Sequence, residues 1–371
     1  MRSWLNLSIA MVLPFGTLCV HGQSTRSLSV GDGGPAIKAT LLDPTGLALD
    51  ENNLYIVESS GRRVRRVNLK TGIITTIAGG GGQCIESEIS SRHGCLGWPQ
   101  RVAVDSHGSV YVTDQQTVQV IKVGADSDSF TTVVDENPNL SSDSGHGEKA
   151  HLKWPAGIAV DPSGGLFFAD HTAHTVYRFG LHDHLLEIIA GTGTKGFEGN
   201  GGPGKKAEFR FPQGIVRDKR GNLFIADYGN CRIQRVDNRT GIVTTVTGTE
   251  KGGSTCEGLS DYDAPSDVPM DVAVDQNGNV FLVLLGGRVQ RFDVLTGTIT
   301  TVAGNGEWGF SGDGGPATGA SLHRPEGIAL DKSGNLYISD TGNNRIRRVN
   351  LKTGIITTIA GNGPASVDPI L

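Results

Sequence analysis

Four histidines, His151, His171, His174 and His323, and a few carboxylates are the groups with which this 371-residue chain could do chemistry. No Gly-x-Ser-x-Gly elbow is present, so a nucleophilic serine has no local signature. No His-Glu-x-x-His pair is present either, which removes the commonest helical zinc site. The five cysteines, Cys19, Cys84, Cys95, Cys231 and Cys256, show no Cys-x2-Cys spacing of a structural zinc centre. A cation would instead need carboxylates from distant segments, with Glu326, Asp271 and Asp43 as the available set. The segments Gly31-Asp32-Gly33-Gly34, Gly199-Asn200-Gly201-Gly202 and Gly312-Asp313-Gly314-Gly315 invite a calcium or phosphate reading. Each brings a single carboxylate or amide, too few for a calcium shell, and tight turns account for the glycines.

Whether those residues converge depends on the elements that carry them, and these repeat. A proline recurs at Pro44, Pro99, Pro155, Pro212, Pro269 and Pro325, at intervals of 55 to 57 residues. Each opens a short apolar run that closes on Asp50, Asp105, Asp161, Asp218, Asp275 or Asp331. A second run closes on Glu58, Asp114, Asp170, Asp227, Val283 or Asp340, so the fifth unit alone lacks the acid. A third ends at Val67, Val123, Phe179, Val236, Phe292 or Val349. A fourth is rich in Thr and Ile, as in Ile355-Ile356-Thr357-Thr358-Ile359-Ala360. Alternating or β-branched runs bounded by Gly, Asn and Asp read as four strands per unit.

A four-stranded unit of this size cannot bury both faces alone, so neighbours must stack and the array must close. The fold class expected is all-β, a six-bladed β-propeller of four-stranded antiparallel blades. The small, apolar first strand suits the crowded axis. The expected divisions are residues 1–22 as a signal peptide, 23–43 as an N-terminal segment ending a connector, 44–361 as the propeller and 362–371 as a tail.

The pattern resembles the NHL repeat over about 44–361, most closely at Asp340-Thr341-Gly342-Asn343-Asn344-Arg345-Ile346 and Asp227-Tyr228-Gly229-Asn230-Cys231-Arg232-Ile233. The histidine of the repeat's name is matched by His174; Arg62, Val118, Cys231, Gly287 and Asn344 stand there in the other units. The connector Gly309-Phe310-Ser311-Gly312-Asp313-Gly314-Gly315-Pro316-Ala317 looks like those of long-connector NHL arrays common in secreted bacterial proteins. NHL propellers include scaffolds, sensor domains, RNA binders and a peptide-amidating lyase, so the resemblance implies the fold and leaves the activity open.

Met1-Arg2, an apolar run from Trp4 to Val20 and a small residue at Gly22 fit a cleaved secretory leader, which places the mature chain outside the cell or in a periplasm. Without Arg2 the chain carries 32 basic and 38 acidic residues, a net charge of −6. That balance speaks against nucleic acid. The third-strand arginines Arg62, Arg63, Arg65, Arg66, Arg345, Arg347 and Arg348 are expected to point outward and pair with neighbouring-blade acids. In an oxidising compartment the four remaining cysteines pair most simply as Cys84–Cys95 and Cys231–Cys256. Sequons at Asn139 and Asn238 are glycosylation sites if the host is eukaryotic.

The residue before each opening proline falls near the mouth of the propeller, where loops converge. Trp98, Trp154 and Phe211 would form an aromatic crescent there, flanked by His171, His174, Tyr228, Arg324 and Glu326. The function expected is non-catalytic recognition of a protein, peptide or glycan by a monomer with no membrane span and no resident cofactor. The rival is a metal-dependent lyase or hydrolase with zinc or calcium at the same face. In the fifth unit, Leu284 and Leu285 are expected to form an exposed apolar spot for a partner.

Overall fold

The computed structural model describes residues 31–80, 96–124, 130–135, 152–161, 164–248 and 268–363. Six four-stranded antiparallel sheets follow one another, each made of consecutive strands in chain order. Their first strands are Pro44–Leu49, Pro99–Val104, Pro155–Asp161, Pro212–Arg217, Pro269–Val274 and Pro325–Leu330, numbered here as blades one to six. Each first strand packs against those of both neighbours, and the first and sixth pack together, so the ring is closed. Successive strand residues face the blade on either side. The core therefore lies between blades: Tyr111 and Val120 of blade two meet Leu166, Phe168 and Phe179 of blade three.

Just after its opening proline, every first strand carries a bulge against the second strand. A bulge re-aims the residues that follow it. Here it turns the third residue toward the neighbouring first strand, and in four blades that residue is Gly46, Gly157, Gly214 or Gly327. A Cβ on Gly46 would lie 2.6 Å from the Gln100 carbonyl oxygen of blade two. One on Gly157 would meet the Gln213 oxygen, and one on Gly327 the Thr45 oxygen.

The repeated acids divide into two jobs. Those closing the first strands cap the following turn: Asp105 accepts the N–H of His107 and Ser109, and Asp331 those of Ser333 and Asn335. Those closing the second strands are fully buried and accept N–H groups from the residues that lead into the opening proline. Glu58 holds Leu42, Asp114 holds Gly97 and Trp98, Asp170 holds Lys153 and Trp154, Asp227 holds Arg210, and Asp340 holds His323. In blade five the strand register sets Leu284, not Val283, opposite the opening proline. The loop there is one residue shorter, which displaces a count made at constant spacing. Leu284 and Leu285 are 1% and 4% exposed. The expected rim spot is therefore core: apolar packing replaces the buried acid.

The third-strand arginines also differ from expectation. Arg65 and Arg347 are wholly buried, and they pair with acids of their own blade: Arg65 with Glu58 at 3.1 Å, Arg347 with Asp340 at 3.2 Å. Their other amino groups reach Asp32 at 2.7 Å and Asp313 at 2.9 Å. The glycine-segment aspartates thus neutralise buried arginines. Blade four carries Gln234 in place of the arginine and Asn200 in place of the aspartate, so both charges are absent together.

Those segments also tie the blades into a ring. Residues 33–36, 201–204 and 314–317 bond to the outer strand of the blade they lead into, and the exits of the preceding blades bond back to them. Gly191 and Thr192 donate to Gly204 and Ala207, Gly304 and Asn305 to Ala317 and Ala320, and Gly361 and Asn362 to Ala36 and Ala39. The last pair joins the two ends of the ring by the same bonds used inside it.

Overpacking a tight site costs about 1–3 kcal/mol, and Gly157→Ala should lower the unfolding free energy by that amount in denaturant titration. Gly319→Ala, at a position where a Cβ meets nothing within 4 Å, should leave it unchanged.

Candidate functional site

The ends of the first strands that carry the opening prolines, and the loops between second and third strands, share one face. Trp98 and Trp154, at equivalent positions of blades two and three, are 44% and 43% exposed on it. Their backbones are fixed: each donates its N–H to the buried acid of its blade, and each accepts a bond from the loop opposite, Gln115 to Trp98 and His171 to Trp154. Phe211 is partly covered. His171 stacks on it with centroids 4.9 Å apart, His174 meets its edge at 4.9 Å, and Tyr228 lies 6.0 Å from His171. Four of the expected residues therefore form one aromatic cluster across the seam of blades three and four. Arg324 and Glu326 flank Pro325, on blade six, and are not among the members of that cluster.

His174 has a structural task. It sits at the left-handed loop position shared by Arg62, Val118, Cys231 and Asn344. From there its Nδ1 accepts the N–H of Phe211 at 3.2 Å, joining blade three to blade four. Asn344 does the same between blades six and one, its Oδ1 accepting the N–H of Asp43 at 2.8 Å. An acceptor Nδ1 requires the neutral ring protonated at Nε2. Burial holds the His174 pKa below its ordinary 6.5, and the nearby cations Lys153, Lys195 and Arg210 push the same way.

On the axis, the third residues of blades two and five depart from glycine. They are Arg101 and Asp271, 5% and 6% exposed, on opposite sides of the ring. Arg101 Nε stands 3.8 Å from an Asp271 oxygen. The guanidinium also donates to the carbonyls of Gln100 and of Glu326. The Asp271 carboxylate accepts the N–H of Val272 and of Ile328. Burial raises its pKa, and Arg101 and the two amides oppose the rise. Within the ring lies a cavity of about 350 Å³ lined by first-strand residues of all six blades, Arg101 and Asp271 included. Sequence reasoning counted Asp271 as a free carboxylate and passed over Arg101. The signal was available, since these two positions interrupt a column of glycines.

Among the described residues no group of three or more His, Cys, Asp and Glu side chains is gathered as for a metal ion. Asp32 and Asp313 are engaged by buried arginines, as above. Cys231 is disulfide-bonded; Cys84, Cys95 and Cys256, and with them both expected pairings, lie outside the described residues, as do His151, the sequon Asn139 and residues 1–22. Asn238 is exposed in a turn between strands. No helix among the described residues is long and apolar enough to cross a membrane.

Two outcomes test this geometry. Removing one partner of a buried pair costs about 3–5 kcal/mol. Arg101→Met should show a loss of that order by chemical denaturation, and adding Asp271→Asn should recover much of it. For His174, a lost latch is worth about 1 kcal/mol, so His174→Leu should destabilise by that amount and His174→Asn, imitating Asn344, by less. A base with a depressed native pKa stabilises fully above its unfolded pKa, near 6.5, and loses this as pH falls through the native value. The wild-type chain should therefore lose stability on acidification in that range, and His174→Asn should lose less.

The family model for the teneurin NHL domain matches residues 306–370, and that for the NHL repeat matches residues 209–236. The chain is 24% identical over 327 residues to Protein SUPPRESSOR OF QUENCHING 1, chloroplastic, of Arabidopsis thaliana, covering 84% of this chain and 30% of that one. It is 26% identical over 286 residues to Teneurin-3 of Mus musculus, covering 70% of this chain and 10% of the relative. It thus spans less than a third of the length of either. Among solved structures, a streptogramin B lyase superposes with a TM-score of 0.52 at 16% identity, covering 89% of this chain and 84% of that one. A chain of a nidogen/laminin complex superposes at 0.56 and 14% identity, covering 82% and 91%. At such identities the likeness is one of fold. The repeat match and the ring of six four-stranded blades agree: the chain is an NHL-repeat six-bladed β-propeller.

Proposed function

We propose that this propeller is an exported, non-catalytic recognition module that binds a protein, peptide or glycan through its loop face. The observation carrying this reading is the division of that face. At its centre the Arg101 guanidinium faces the Asp271 carboxylate at 3.8 Å across the ring, so the axial carboxylate is engaged by a cation of the chain itself. Its rim presents Trp98 and Trp154, nearly half exposed on backbones pinned by buried acids. Rigid, half-exposed aromatics are the side chains that supply binding area at low entropic cost. The disulfide at Cys231 supports export to an oxidising compartment.

The lyase likeness concerns the fold, and a propeller hosts unrelated chemistries. The rival reading is tested directly by elemental analysis of the purified chain after dialysis without chelator. About one zinc or calcium per chain, lost on Glu326→Gln or His171→Ala, would overturn the proposal in favour of a metal-dependent lyase or hydrolase. A metal-free, folded chain is expected. Peptides panned from a displayed random library should then lose binding to a Trp98→Ala/Trp154→Ala variant whose thermal midpoint is unchanged.

A further inference from the structure

We infer that the outer edge of blade five takes an extended peptide strand with a Gly-Gly-Pro run, of the kind the chain itself lays along three other blades. In blades one, four and six the connector leading into the blade covers the fourth strand. Gly33 donates to the Ile74 carbonyl at 2.8 Å, Gly34 accepts the Ile74 N–H at 3.1 Å, and Ala36 donates to Gly72. Gly201, Gly202 and Gly204 make the same bonds to Val243 and Gly241, and Gly314, Gly315 and Ala317 to Ile356 and Gly354. The proline within each run forms an antiparallel bridge, to Ile73, Ile242 or Ile355. Gly-Gly-Pro occurs in the sequence only at 33–35, 201–203 and 314–316, so each copy is already engaged.

Blade five has the strand without this cover. Gly297-Thr298-Ile299-Thr300-Thr301-Val302-Ala303 repeats the pattern of Gly354-Ile355-Ile356-Thr357-Thr358-Ile359-Ala360. In the strand Ile299–Ala303, Ile299 stands opposite Phe292, and Thr298 accepts the N–H of Asp293. Alternation in an antiparallel ladder then turns the N–H and C=O of Ile299 away from the sheet. Among the described residues nothing bonds to them. Ile299 is 49% exposed, whereas Ile74, Val243 and Ile356 are 0%, 1% and 0%. Pro35, Pro203 and Pro316 stand nine residues before their opening prolines, and Ser260 holds that position ahead of Pro269.

Free edges are usually blunted by charge. This strand has none, and in the turn before it Leu295, 90% exposed, replaces Lys70, Arg239 and Lys352. Main-chain groups at such an edge bind an added strand, and the side chains beside them select it. The three covered blades show what that strand requires. Its first glycine has φ of +76°, +80° or +79°, a conformation glycine adopts without strain. In blades one and six the alanine after the proline joins the core that holds the strand isoleucine.

The peptide Gly-Asp-Gly-Gly-Pro-Ala-Thr-Gly-Ala, residues 312–320, labelled and titrated against the full chain, tests this. Saturable binding is expected, weakened about tenfold by Ile299→Pro, which removes an outward N–H the ring does not use. On the unaltered chain, N-methylating the peptide glycine that corresponds to Gly314, or replacing it by L-alanine, should weaken binding similarly. Trp98→Ala/Trp154→Ala should leave it unchanged, so failure here leaves recognition at the loop face intact. No binding at about 1 mM peptide, or binding indifferent to these edge and glycine changes, would overturn the inference. So would slow solvent exchange of the Ile299 amide in the free monomer, which would mean an edge already covered. A concentration-dependent dimer abolished by Ile299→Pro would overturn it in favour of a second copy.

Discussion

The closeness of the six first strands governs the rest of the molecule. Each passes its neighbour so tightly that the second residue after the opening proline has no room for a Cβ in four of six blades. Strands that approach this closely leave their polar backbone ends crowded at the top of the ring. The N–H groups of the residues before each proline must still find acceptors. Five buried acids supply them, and each acid is a cost until it is bonded or paired. Arginines of the third strands supply the pairing in blades one, four and six. Two of these arginines, Arg65 and Arg347, reach on to aspartates of the glycine-rich connectors. One steric fact thus propagates outward from axis to rim as a chain of satisfied charges.

This chain of charges explains why the acids and arginines that are easiest to notice carry little functional weight. Asp340, Arg347 and Asp313 form a linked set, with the Arg347 guanidinium lying 4.8 Å from the Phe310 ring. The parallel set in blade four puts the Arg232 guanidinium 3.8 Å from Phe197. A glycine loop ending in a buried ion pair reads, from sequence, much like a loop waiting for an ion. The joint change to Asn200 and Gln234 in blade four distinguishes the two. A ligand loop would lose its charge alone, whereas an internal pair loses both members together.

Most of the architecture was legible because the repeat states it six times. The opening prolines, the turn aspartates and the four strands recur in register, and strand pairing follows the pattern. What was not legible depended on register or on distance across the ring. The short loop of blade five shifts the correspondence from Val283 to Leu284, and a side chain counted as exposed becomes core. Outward alternation was the natural expectation for Arg65 and Arg347, but alternation in a propeller points residues at the neighbouring blades and connectors, not at water. His174 looked like a member of a ligand set. Its left-handed backbone and its bond to Phe211 make it the counterpart of Asn344. The loop-face candidates came together only where two blades adjoin, and no local spacing reports that adjacency.

The departures from repetition are accordingly the informative residues. Equivalent side chains in every blade serve the ring, since a single bound partner cannot use six copies of one group at once. Arg101 and Asp271 break the glycine column at opposite blades and face each other across the axis at 3.8 Å. The exposed aromatic area of the loop face lies off the axis, at Trp98 and Trp154. The same ion pair joins blade two to blade five across the ring. The loop face consequently sits on a scaffold joined across its centre, and its exposed aromatics, Trp98 and Trp154, project from backbones that the buried acids of their own blades hold.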